Sequence, residues 1–136
     1  MVKQIFVNLP IKDLAASQEF FSKLGFTFNE AFTDENAACM MIGENMFAML
    51  LLENFFQTFT KKEIADTTMV TEVLTALSLE DKEAVDEMLA KGIEAGGTEA
   101  REPQDHGFMY SRSLEDLDGH IWEFFWMDEK ADVKES

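Results

Sequence analysis

One order of elements occurs twice in this chain, and that repetition constrains the fold more than any single motif. The first copy opens with QIFVNLP, where Ile5, Val7 and Leu9 alternate with Phe6, Asn8 and Pro10 as in a strand. Asp13 then stands at a helix N-cap position. Leu14, Ser17, Phe20, Phe21 and Leu24 follow at helical spacing, and Gly25 supplies the stop. Three short apolar pieces come next, FTFNEAF, NAACMMI and MFAMLLL, separated by the turn-forming Asp34-Glu35-Asn36 and Gly43-Glu44-Asn45. This half reads β-α-β-β-β.

The pattern then restarts. VTEVLTALSL is a strand with Val70, Glu72, Leu74, Ala76 and Ser78 on one face, and Asp81 takes the place of Asp13. Val85, Met88, Leu89 and Ile93 form a helical stripe, and Gly96-Gly97 closes the helix. Strands are expected near 98–102, 108–113 and 121–126. Two β-α-β-β-β units of about 60 residues each are expected to share one domain over 1–127. Module one covers about 3–53, a linker helix about 54–68, and module two about 69–127, with 128–136 a frayed charged tail. Within the linker, Thr60 and Glu63 have capping-box spacing, which predicts a helix over 61–66. Phe55, Phe56 and Phe59 fit neither period and are read as covering a cavity mouth or a subunit contact.

Composition removes several classes of function. A net charge of −16 disfavours nucleic acid or an anionic membrane as partner, because phosphates are repelled on approach. It equally suits a soluble acidic surface. No apolar run nears the roughly 20 residues of a membrane span, and the N-terminal segment, broken by Asn8, Pro10 and Lys12, does not read as a signal peptide. The single Cys39 permits no internal disulfide and reads as a small core residue of a cytoplasmic protein. Two histidines, His106 and His120, leave little material for a His-rich zinc site.

The most informative short stretch is DLDGHIWEFFW, residues 116–126. An acidic turn ending in Gly119 leads into an aromatic strand with Glu123 at its centre. A carboxylate in so apolar a run costs several kcal/mol to bury unless something pairs with it. Alternation puts Ile121, Glu123 and Phe125 on one face and His120, Trp122, Phe124 and Trp126 on the other. Arg101, Arg112 and Tyr110, on the preceding strands, are the candidate partners of Glu123.

The opening strand with LPIKDL, the FFSKLGF helix exit, the duplicated order and the closing DLDGHIWEFF together resemble the glyoxalase, bleomycin-resistance and extradiol dioxygenase (vicinal oxygen chelate) superfamily. The resemblance implies an α+β fold, with two tandem βαβββ modules forming a curled, incomplete mixed β-barrel around a central cleft. In metal-dependent members, the first and last strands of each module supply four ligands to that cleft. Carried onto this chain, those positions fall on Phe6, on Met49 or Leu50, on Leu74 and on Glu123. Only Glu123 is a metal-ligating residue, and phenyl, thioether and isobutyl groups do not hold a hard divalent ion.

The resulting expectation is a glyoxalase/bleomycin-resistance-like protein without a metal cofactor. It binds a small aromatic or cationic molecule in an apolar, acid-containing cleft and is a cytoplasmic homodimer that catalyses no reaction. The expected cleft residues are Glu123, Asn8, Phe6, Met49, Leu74, Tyr110, Arg112, His106 and Phe125. The alternative is a lyase, isomerase or dioxygenase whose divalent metal is held by Glu123 with Asn8 and Glu72.

Overall fold

The computed structural model describes residues 1–130; the expected frayed tail lies outside the described residues from 131 onward. The chain divides between Asp66 and Thr67 into two units. The elements are β1 (Ile5–Ile11), α1 (Leu14–Lys23), β2 (Thr27–Phe28), β3 (Ala37–Gly43), β4 (Met46–Leu52) and α2 (Glu53–Phe56). After these come β5 (Leu74–Ser78), α3 (Lys82–Glu94), β6 (Thr98–Asp105), β7 (Met109–Glu115) and β8 (Ile121–Met127). Each unit contains one open four-stranded mixed sheet, ordered β1-β4-β3-β2 in the first and β5-β8-β7-β6 in the second. The duplicated order read from the sequence is thus present.

The two long helices begin as the sequence implies. The Asp13 carboxylate accepts from Ala16 N at 3.0 Å and that of Asp81 from Ala84 N at 2.7 Å, satisfying helix N–H groups that have no intrahelical acceptor. In the first unit, Ser17, Phe20 and Phe21 are the buried residues of α1. One face of the sheet carries Leu9, Ala38, Met40, Ala48 and Leu50, all buried. The far face carries Phe6, Asn8, Phe47, Met49, Cys39 and Met41. There Phe6 stacks on Phe47, with centroids 4.7 Å apart. Cys39 is fully buried, and desolvation raises its thiol pKa, as expected for a core residue rather than a nucleophile.

The second unit repeats this plan. Val85, Leu89 and Gly92 of α3 pack toward Leu114, Trp122 and Phe124, which are fully buried. A methyl group at Gly92 would collide with Leu114, so the helix approaches β7 this closely only with glycine there. The Trp122 and Phe124 face is the core face, and both side chains are fully buried.

The linker departs from expectation. No helix spans 61–66; helical turns lie earlier, as α2 and a 3-10 turn over Gln57–Phe59. The Thr60 hydroxyl accepts from Lys62 N at 3.1 Å, and Gln57 Nε2 donates to the carbonyls of Thr60 and Lys62 at 3.0 and 2.8 Å. Thr60 closes a local turn with its side chain instead of capping a helix, and Gln57 occupies carbonyls that a helix would have used. Phe55 and Phe59 meet edge to face at 5.2 Å, with Phe59 exposed.

Residues 116–120 join β7 to β8 around a buried carboxylate. Asp116 accepts from Trp122 Nε1 at 2.9 Å, from Asp118 N at 2.9 Å and from His120 N at 3.0 Å. Gly119 sits at φ +90°, and a Cβ there would come within 2.5 Å of the Thr67 carbonyl oxygen, which accounts for glycine at this point of the acidic turn. Asp116→Ala withdraws one acceptor from three donors in a buried site. It should cost about 3 kcal/mol, read as a lower urea midpoint at unchanged slope.

Candidate functional site

The answer to what Glu123 faces is Arg101. Glu123 stands at the centre of β8, on the side of the sheet turned away from α3, with its side chain 15 % exposed. Arg101 Nη2 donates to Glu123 Oε1 at 2.7 Å, and the Ser113 hydroxyl donates to Glu123 Oε2. The pairing register explains the arrangement. Arg101 on β6 faces Ser113 on β7, Ser113 faces Glu123 on β8, and Glu123 faces Ala76 on β5. The guanidinium therefore reaches across the intervening strand, contacting Ser111 Oγ at 3.4 Å on the way. Ser111 and Ser113 are both buried, and larger side chains there would obstruct that reach.

The neighbouring positions on this far face are mostly apolar. Ile121 pairs with Leu74, and Phe125 lies between Ser111 and Ser78. Leu74 is 59 % exposed, while Ile121 and Phe125 are half-buried. The second sheet thus presents a polar row, Arg101, Ser113 and Glu123, bordered by aliphatic and aromatic side chains. Such a surface offers ring contact beside a few oriented hydrogen-bonding groups.

Tyr110 and Arg112, expected beside Glu123, lie on the opposite side of the sheet. In register they face Trp126 and Phe124. There Tyr110 donates to Asp86 on α3 at 2.5 Å, and Arg112 bridges Asp86 at 2.9 Å and Glu99 at 3.0 Å. The reason is parity: Ser113 shares a face with Glu123, so its neighbour Arg112 cannot. His106 occupies the β6–β7 turn, exposed, with its backbone N donating to Met109 O at 2.8 Å. Phe6, Asn8 and Met49 lie on the far face of the first sheet, Phe6 being 44 % exposed. Ser111 and Ser113 are the site residues that sequence reasoning missed. A shallow open depression of about 200 Å³ beside α3, lined by Leu79, Glu80, Ala84, Glu87, Met88 and Lys91, includes none of the residues around Glu123.

The donor set does not fit a divalent cation. Glu123 already has a guanidinium against it, and Glu72 receives His120 Nδ1 at 3.2 Å. The other positions carried over by resemblance are phenyl, thioether and aliphatic side chains, whose chemistry excludes them as hard ligands however they are placed. Among the described residues, no group of three or more His, Cys, Asp or Glu side chains is arranged to hold a metal ion. His120 is buried at 2 % exposure and serves the turn structure.

Residues 3–43 match the family of bleomycin resistance protein-like N-terminal domains. A solved structure of a hypothetical protein from S. aureus is similar over 93 % of this chain and 94 % of its own, at 29 % identity and TM-score 0.79. A glyoxalase/bleomycin resistance protein/dioxygenase family enzyme from Burkholderia phytofirmans PsJN matches at 20 % identity, covering 90 % of this chain and 96 % of its own, with TM-score 0.75. A glyoxalase-related enzyme from Fulvimarina pelagi matches at 19 % identity, covering 92 % and 88 %, with TM-score 0.76. No curated protein matches the chain. The chain thus shares the fold of proteins of the glyoxalase/bleomycin resistance/dioxygenase superfamily, and its residues 3–43 match a bleomycin resistance protein-like N-terminal domain.

The network on the α3 side has a testable pH signature. The Tyr110 hydrogen bond lowers the Asp86 pKa; burial opposes it, and the hydrogen bond and charge of Arg112 add smaller lowering contributions. A folded-state pKa below the unfolded one stabilises the fold fully above the unfolded value. That contribution disappears as pH falls through the folded value. Asp86 is 52 % exposed, so solvent screening limits the effect to less than about 1 kcal/mol. NMR titration should place Asp86 below the ordinary aspartate range. Asp86→Asn should reduce the loss of stability between neutral and acidic pH.

Proposed function

We propose that this chain binds a small aromatic molecule without a metal cofactor, as a glyoxalase/bleomycin-resistance-like binding protein and not a metal-dependent enzyme. The observation that carries this reading is the Arg101–Glu123 pair at 2.7 Å. The one side chain able to ligate a divalent ion, among those that match the family's ligand positions, is engaged by a fixed internal cation. Metal entry would require separating that pair and setting the ion's two charges beside a guanidinium. Ile121, Phe125 and Leu74 supply apolar contact beside it, and Phe6, Asn8 and Met49 on the first sheet supply a comparable surface. A cationic group is favoured by the net charge of −16 but must compete with Arg101 for Glu123.

The metal-dependent alternative loses support from Glu72, which is paired to His120. Exposed Ile5 and Met46, paired side by side at the start of β1 and β4, support the homodimer, since adjacent exposed apolar groups favour a protein contact. The unpaired Cys39 supports a cytoplasmic location. No helix among the described residues is long and apolar enough to cross a membrane.

Calorimetric titration of tag-free protein with Zn²⁺, Ni²⁺, Mn²⁺ and Fe²⁺ should give no stoichiometric binding, while aromatic probes should raise the melting temperature in proportion to their occupancy. One ion bound per chain, and lost on Glu123→Ala, would overturn the proposal.

A further inference from the structure

On the α3 side of the second sheet, three side chains stand in one row across three strands. Asp105 on β6 faces Tyr110 on β7, and Tyr110 faces Trp126 on β8. The Lys82 ammonium lies over this row, 5.9 Å from the Tyr110 ring centroid, 5.6 Å from that of Trp126 and 3.6 Å from Asp105 Oδ2. Both rings are half-buried. Tyr110 donates its hydroxyl hydrogen to Asp86 at 2.5 Å, which fixes the phenol and pushes electron density into its ring. Two aromatic faces and a carboxylate around one ammonium make the kind of cage in which proteins hold organic cations.

Lys82 is a replaceable occupant of that cage. It is the first residue of α3, where the positive end of the helix dipole disfavours a cation, and its flexible side chain is 39 % exposed. With Lys82 turned outward, the carboxylates of Asp86, Glu99 and Asp105 would face the single guanidinium of Arg112, leaving negative charge beside two open ring faces. A primary ammonium holds its hydration shell strongly. An N-methylated one gives up less on leaving water and covers more of each ring. The net charge of −16 draws such a cation to the chain.

We propose that Asp105, Tyr110 and Trp126 form a binding site for an N-methylated ammonium ligand, and that Lys82 occupies this site in the free protein. The site lies on the opposite side of the sheet from Glu123 and is independent of the function proposed above.

The experiment is an NMR titration of the full chain, and of its Lys82→Ala variant, with choline chloride and with 3,3-dimethylbutan-1-ol, the neutral compound of the same shape. Choline should shift the Trp126 indole and the Tyr110 ring, and should bind Lys82→Ala about tenfold tighter than the unaltered chain. The neutral alcohol should bind about tenfold weaker than choline or worse. In the Lys82→Ala background, Asp105→Asn should weaken choline about threefold, Trp126→Leu should abolish the shifts at Tyr110, and added salt should weaken binding. Trp122, fully buried with its Nε1 bonded to Asp116, is the internal reference that should not move.

Choline binding of equal strength in the two proteins would overturn the proposal, because Lys82 would then not be the occupant. Equal binding of choline and the neutral alcohol would overturn it as well, reducing the row to apolar surface. A folded Lys82→Ala protein in which neither Trp126 nor Tyr110 responds to choline has no ammonium site. None of these results bears on aromatic binding at the Glu123 face.

Discussion

A buried carboxylate, Asp116, ties the 116–120 turn to the core through three donors, and the pairing of β7 with β8 runs outward from that turn. With Glu115 opposite Ile121, every later pair follows: Ser113 meets Glu123, Arg112 meets Phe124 and Ser111 meets Phe125. A slip of one residue would exchange the two faces of β8. Glu123 would then press toward α3, and Trp122 would lose its burial. Asp116 itself is held against a strong burial penalty that raises its pKa, opposed by the charge of His120 and the hydrogen bonds it accepts. The chain retains a costly buried acid because that acid sets which side chains share the far face.

The Arg101–Glu123 pair is weak evidence for stability. Arg101 is substantially exposed, so the Coulombic gain is screened, while Glu123 is largely withdrawn from water and pays for it. An apolar residue of similar volume at 123 would serve the core at least as well. Keeping a carboxylate there is therefore better explained by what it holds than by what it stabilises. It fixes a guanidinium on an otherwise apolar surface. Where the resemblance implies a metal ion against this carboxylate, the chain places a guanidinium.

Much of the architecture was legible in the residues. Asp13 and Asp81 cap their helices as read, the βαβββ order occurs in both units, and Trp122 and Phe124 are buried on the face that alternation assigns them. The candidate site was only partly legible. Three donors were open as partners for Glu123, and only one lies on its face. The short acidic turn contained the signal that excludes Arg112 and Tyr110, because a tight connection between 115 and 121 places Ser113, not Arg112, opposite Glu123. Arg101 was harder to place. β6 carries register irregularities between Glu99 and Arg101 and again between Arg101 and Gln104, and counting along a strand fails across a bulge. The helix expected over 61–66 failed for a local reason, since the Thr60 hydroxyl that would have capped it closes a turn instead.

The central claim is that the cation belonging to Glu123 is Arg101. A double-mutant cycle on stability, with Arg101→Ala, Glu123→Ala and the pair together, measures that interaction directly. The account predicts a coupling of about 1 kcal/mol, with the double variant more stable than the sum of the single losses implies. Additivity within about 0.3 kcal/mol would contradict it, and would return Glu123 to the status of a carboxylate whose partner is still to be found.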